Sequence, residues 1–69
     1  MKKAIKNKCK EIVQESLLSE YGFAPSLEDI NIVVANHNEE CVSYVMFSVN
    51  GHTYDYVKNA NCEYVNRRK

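Results

Sequence analysis

The sequence predicts an α+β fold in two layers, an N-terminal helix packed on an antiparallel meander of three or four strands. Three observations carry that prediction. The dipeptide Asn50-Gly51 separates residues 42 to 49 (Val-Ser-Tyr-Val-Met-Phe-Ser-Val) from residues 52 to 57 (His-Thr-Tyr-Asp-Tyr-Val), two β-branched and aromatic runs that nearly alternate in polarity. A type I′ turn needs positive φ at both central residues, which Asn tolerates and Gly adopts freely, so this pattern specifies a tight hairpin. Ahead of it, residues 3 to 21 carry apolar side chains at helical spacing, and residues 30 to 35 form a short apolar run with β-branched character.

On a helical projection Ile5, Cys9, Ile12, Val13 and Leu17 share one stripe, with Ser16 inside it. Lys3, Lys6, Lys10 and Gln14 form one flank of that stripe, and Glu11 with Glu15 the other. One face is therefore built for burial. The lysines of the first turns oppose the helix dipole, which favours negative charge there. Leu18 falls off the stripe, toward the following loop or a second chain. Gly22, with Phe23 behind it and Pro25 beyond, has the pattern of a glycine closure and a helix stop. Ser26-Leu27-Glu28-Asp29 then reads as a capped single turn, in which Ser26 accepts from backbone N–H groups.

Strict alternation over residues 30 to 35 places Ile30, Ile32 and Val34 on one face and Asn31, Val33 and Ala35 on the other. The loop His37-Asn38-Glu39-Glu40 leads to the second strand. A two-residue turn at positions 50 and 51 sets Val49 opposite His52, Phe47 opposite Tyr54 and Val45 opposite Tyr56. Val45, Phe47, Tyr54 and Tyr56 then face the helix, while Tyr44, Met46, Ser48, Thr53, Asp55 and Val57 face away. With Val33, Ala35, Tyr44, Met46 and Val57 upon it, the outer face is more apolar than a solvated face, which points to association. Residues 59 to 61 make a turn. Cys62-Glu63-Tyr64-Val65 is read as a fourth strand rather than a terminal helix, because Tyr and Val favour β structure and Asn66 is a poor helix interior residue.

At 69 residues the chain supports one unit with a thin core, since a chain this short buries only about 60% of its unfolded surface. A deep catalytic cleft is not expected at this size, and support from a partner subunit is. The odd count of three cysteines, with no apolar segment after the lysine-rich start, leads to the expectation of reduced thiols in a cytoplasmic protein, or a secreted one if a leader has been removed. No apolar run has the ~18 to 20 residues of a membrane span. Net charge is zero but unevenly spread: +5 over residues 1 to 10, −7 over residues 11 to 40 and +2 over residues 41 to 69. That balance excludes a wholly basic nucleic-acid footprint and a wholly acidic mimic, and leaves local basic patches at the two ends.

Helix followed by meander is the element order of cystatin-like and PepSY-like modules. Residues 42 to 65 resemble a PepSY repeat in their Val-Asn-Gly turn, in Thr53-Tyr54-Asp55-Tyr56-Val57, and in Asn59-Ala60, where that family carries Asp-Ala before a glycine-containing turn and a final strand. Here Asn59 replaces the usual Asp and that turn holds no glycine. The resemblance implies a ligandless module that binds or inhibits another protein.

Three other kinds of chemistry have candidate residues in the chain. His37, Cys41 and Cys62 converge at one edge of the meander, so they are the candidates for a metal or thiol site. His52, at the Asn50-Gly51 turn, lies about 25 Å away along the strand. No CxxC or HxxxH pair accompanies them, so no metal is expected. Cys41 with His37 as base lacks an orienting acid and an oxyanion donor, so no catalytic residue is assigned. A Cys41 to Cys62 disulfide belongs to the secreted alternative, and Cys9 to the core. Glu28 with Asp29 and Glu39 with Glu40 are explained by solvation and dipole complementarity. For single-stranded nucleic acid, the sheet tyrosines would stack bases while Lys3, Lys6, Lys10, Arg67, Arg68 and Lys69 contact phosphates. The preferred reading needs fewer assumptions. It is a non-enzymatic, cofactor-free protein-binding module that uses Tyr44, Met46, Thr53, Asp55 and Val57 on the outer sheet face or a sheet edge, and forms a homodimer.

Overall fold

The computed structural model describes residues 3–38 and 41–68. A helix, α1 (Lys3–Tyr21), and a single 3₁₀ turn at Leu27–Asp29 precede four strands: β1 (Ile30–His37), β2 (Val42–Val49), β3 (His52–Lys58) and β4 (Glu63–Arg67). The strands pair antiparallel in the order β1-β2-β3-β4, so the sheet is a plain meander with β1 and β4 at its edges. α1 covers one face of this sheet, giving the two-layer α+β arrangement the sequence predicts, with the fourth strand present.

The apolar stripe of α1 is the buried one. Cys9, Val13, Ser16 and Leu17 are buried, and Ile5 and Ile12 pack at the margin of the core. Val45, Phe47, Tyr54 and Tyr56 meet this stripe from the sheet, each at most 4 % exposed. Phe47 and Tyr54 lie cross-strand from each other and stack, with centroids 5.4 Å apart and planes 12° from parallel. Tyr21 closes the far end of the layer: its ring meets Tyr54 edge-on at 5.9 Å, and its hydroxyl accepts the Arg67 backbone N–H at 3.1 Å. Burying Phe47 and Tyr56 contributes on the order of 2 to 3 kcal/mol each, so these side chains are the largest apolar contribution of the sheet to the core.

α1 ends as its sequence predicts. Gly22 takes φ +79° and its N–H donates to the Leu18 carbonyl at 3.1 Å, the single bond of a left-handed cap. Gln14 Nε2 then donates to the Pro25 carbonyl at 2.7 Å, folding the departing chain back along the helix flank. The Ser26 turn differs from expectation. Its hydroxyl accepts no backbone N–H but donates to Asp29 Oδ2 at 2.9 Å, while its carbonyl accepts the Asp29 N–H at 3.0 Å. With only three residues in the turn there is little unsatisfied backbone to cap, and the nearby carboxylate is the better partner.

The hairpin register agrees with the two-residue turn. Asn50 (φ 52°) and Gly51 (φ 82°) both occupy the left-handed region, and Val49, Phe47 and Val45 lie opposite His52, Tyr54 and Tyr56. β1 departs from strict alternation. Ile32 pairs with Phe47 but Val34 pairs with Met46, so Val33 is an extra, bulged residue. Beyond it the faces exchange: Ala35, opposite Val45, packs against the core, and Val34, opposite Met46, is 43 % exposed. The assignment of Val34 to the inner face and Ala35 to the outer is thereby corrected. A second irregularity at Ser43, where Asn36 pairs with Tyr44 and His37 with Val42, turns Val42 into the core.

Candidate functional site

The outer face of the sheet can be read row by row from its register. One row runs Val34, Met46, Asp55, Asn66, and the next Asn36, Tyr44, Val57, Tyr64. Tyr44, Met46, Thr53, Asp55 and Val57, the residues singled out from sequence, all lie here, and all are half-buried in the free chain. Tyr64 and the bulge valines are more open, with Val33 at 53 %.

At the centre is a polar network of three side chains. The Tyr44 hydroxyl donates to Asp55 Oδ1 at 2.6 Å, Arg68 Nε donates to Asp55 Oδ2 at 2.6 Å, and Arg68 Nη2 reaches the Tyr44 hydroxyl at 3.5 Å. The Arg68 backbone N–H donates to the Thr53 carbonyl at 2.7 Å, which carries the chain past the end of β4 and aims the guanidinium at the sheet. The bond from Arg68 holds the Asp55 carboxyl below its ordinary range, against partial desolvation and helped by Tyr44. The same carboxylate pushes the Tyr44 phenol up, because its hydrogen bond favours the protonated form. Arg68 was assigned by sequence to a basic terminus. Its role against Asp55 would have been legible only from the β4 register, which sets Asn66 opposite Asp55.

Beside the network, Val33, Met46, Thr53 and Arg68 line a shallow cleft of about 520 Å³ that runs to His52 and Gly51. Bulge, cleft and network are continuous. An apolar strip thus flanks a charged group whose hydrogen bonds are already made.

The residues of the alternative readings are distributed differently. His37 and Cys41 border a common cleft of about 270 Å³ at the start of α1, with Ile5, Lys8 and Val42, and Cys62 is not part of it. No group of three or more His, Cys, Asp or Glu side chains is placed to hold a metal ion among the described residues. All three cysteines are free thiols, Cys9 buried and Cys41 and Cys62 exposed. Burial pushes the Cys9 thiol up, with Lys8 opposing.

The basic groups do not form one track. Lys3, Lys6 and Lys10 lie on the first turns of α1, whereas the Arg67 backbone N–H donates to Tyr21 at the other end of the helix and the Arg68 guanidinium is engaged on the outer face. Lys69 lies outside the described residues, as do Glu39 and Glu40. Tyr54 and Tyr56 are in the core, and the Tyr56 hydroxyl donates to Glu63 Oε2 at 2.8 Å. Burial and that carboxylate together raise the Tyr56 phenol well above its usual value.

Compared with known proteins, the chain matches no family model, no curated sequence and no solved structure. No described helix is long and apolar enough to cross a membrane.

Proposed function

We propose that the protein is a non-catalytic binding module that captures a polypeptide on the outer face of its sheet, its first partner being a second copy of itself. The observation that supports this is the pairing of exposed Val33 and Val34 with a polar network in which the Asp55 carboxylate already has a donor on each oxygen. Covering a face costs most where it strands unpaired charge. Here Asp55 already receives Tyr44 and Arg68, so a partner can exclude solvent from the strip without orphaning a carboxylate.

The face is favoured over the edges. The Val33 bulge breaks the ladder of β1 in its middle, and bulged edges accept an added strand poorly. β4 is only five residues long and runs into Arg67 and Arg68. A regulatory or inhibitory role, as the PepSY-like resemblance of residues 42 to 65 implies, would act through the same face.

Sedimentation equilibrium over a wide range of concentrations tests the reading. The native chain is expected to self-associate, and Val34→Lys to weaken association by about tenfold or more, the effect of a charge placed in an apolar interface. Val34 is exposed in the free chain, so this variant keeps its fold, which circular dichroism verifies. A monomer at every concentration removes the second copy as partner. Association unchanged by Val34→Lys removes the face.

A further inference from the structure

Of the eight asparagines in the chain, Asn50 alone is followed by glycine. That pair closes the β2–β3 hairpin, and both of its residues are exposed. Gly51 has no side chain to shield its backbone nitrogen, and a Cβ there would meet no atom within 4 Å, so nothing else in the fold crowds it. Such a pair is open to a reaction of the chain on itself, in which the nitrogen of the following residue attacks the asparagine Cγ. The dihedral about the Asn50 Cα–C bond decides whether the two atoms can meet.

The φ values of Asn50 (52°) and Gly51 (82°) match the ~60° and ~90° of a type I′ turn, in which ψ of the first central residue is about +30°. On an L-residue that ψ leaves Cβ nearly anti to the next nitrogen. The ring that the reaction forms, through Asn50 Cα, Cβ and Cγ, the Gly51 nitrogen and the Asn50 carbonyl carbon, needs Cβ and that nitrogen eclipsed. The closed turn therefore holds the reacting atoms apart. Bringing them together means swinging the peptide between residues 50 and 51 over and breaking the Val49–His52 pair, which Ser48–Thr53 and the stacked Phe47–Tyr54 pair support from behind. Reaction belongs to the opened hairpin, and its rate follows the free energy of that opening.

We propose that Asn50 is a site of self-modification, kept unreacted by the turn it forms, and that one of its two products destroys that turn. In the opened hairpin the Gly51 nitrogen bonds to Asn50 Cγ, the Cγ–Nδ2 bond breaks, and Nδ2 leaves as ammonia with the proton that Gly51 lost. Water then opens the ring. Addition at Cγ breaks its bond to the nitrogen and gives aspartate at position 50. Addition at the backbone carbonyl carbon breaks the old peptide bond and gives isoaspartate, in which the main chain runs through Cβ. One water enters and one ammonia leaves, so no oxidant or cofactor is needed. Asp-Gly is itself a favoured type I′ pair, so the first product closes again. The second has one more main-chain atom and does not fit a two-residue turn, so it loses the register that sets Phe47 opposite Tyr54 and Met46 opposite Asp55. Core and outer face both depend on that register, which makes the turn a one-way switch, whether or not the outer face binds a second copy.

The test is incubation of the full chain at mildly alkaline pH, folded and in urea, with peptide mass mapping of amide-to-acid conversion at each asparagine and chromatographic separation of the two acids. Asn50 is expected to be the fastest site in urea and to be slowed about tenfold or more by folding. Asn50→Asp is expected to keep a urea midpoint near the native one, and the purified isoaspartyl chain to unfold at a clearly lower one. Equal rates at Asn50 with and without urea, another asparagine faster than Asn50 in urea, or an isoaspartyl chain as stable as Asn50→Asp would each overturn the proposal. The slowing is expected to be the same in dilute and concentrated solution, because it belongs to a single chain. Slowing that disappears on dilution would assign it to the pairing of copies and not to the turn.

Discussion

At the scale of single residues, Asp55 concentrates most of the chemistry of the outer face. It is a half-buried carboxylate with two donors at 2.6 Å, and the Arg68 bond is the main reason its proton affinity is depressed below the ordinary 3.8. A carboxyl that titrates lower in the folded than in the unfolded chain contributes stability that is complete above its unfolded value. That stability is lost as pH falls through the folded value, because the unfolded chain takes up the proton first. Asp55→Asn removes that dependence. Urea midpoints measured between pH 6 and pH 2 are expected to fall less steeply in the variant than in the native chain, whatever the variant's stability at pH 6. Identical slopes would mean that the Tyr44–Asp55–Arg68 network does not form in solution. Lys58 and Glu63, 4.0 Å apart and both about half exposed, give no comparable signal, since exposed pairs of that kind contribute ~0 to 1 kcal/mol.

At the scale of elements, the feature that shapes the outer face is the extra residue in β1. Val33 and Val34 are chemically identical neighbours, so removing either one gives the same sequence, in which Ile30, Ile32 and Ala35 alternate regularly on the inner face. Deletion of one valine is therefore expected to leave the sheet folded, with a loss of no more than about 1 kcal/mol in urea unfolding, while the exposed strip loses half its branched surface. Global unfolding of the deletion variant would show that the bulge is needed for the twist of the sheet. The same element explains what could be read from sequence. Asn50-Gly51 admits one turn geometry, so the β2–β3 register followed directly, and the helical stripe of Cys9, Val13 and Leu17 has only one way to face a sheet. In β1 two adjacent valines satisfy either face, so no polarity signal marks where alternation slips. Ser43 is equally silent, and the burial of Val42 was for that reason not anticipated. The outer-face placement of the candidate residues Tyr44, Met46, Thr53, Asp55 and Val57 was legible because it depends on the hairpin. The outer-face placement of Arg68 and Val34 was not, because it depends on the end of β4 and on the bulge.

At the scale of the whole molecule, size makes association and stability one problem. A chain of 69 residues at ~0.05 to 0.15 kcal/mol per residue has about 3 to 10 kcal/mol of stability in total. Its core is a single layer between α1 and the sheet, and the opposite side of that sheet carries the exposed valines and the Tyr44–Asp55–Arg68 network. If two copies cover that strip, the folded state is stabilised by mass action, and the unfolding temperature depends on concentration. For unfolding of a dimer to two chains, a hundredfold rise in concentration above the dissociation constant is worth about 2.7 kcal/mol of dimer. Divided between two chains and taken with ~4 to 8 °C per kcal/mol for domains of this size, that gives a rise of roughly 5 to 10 °C. Calorimetry at two concentrations a hundredfold apart should show this rise for the native chain, and for Val34→Lys a transition that is lower than the native one at both concentrations. A transition temperature that does not move in the native chain would mean that the fold stands alone and that the outer face is not used for pairing with itself.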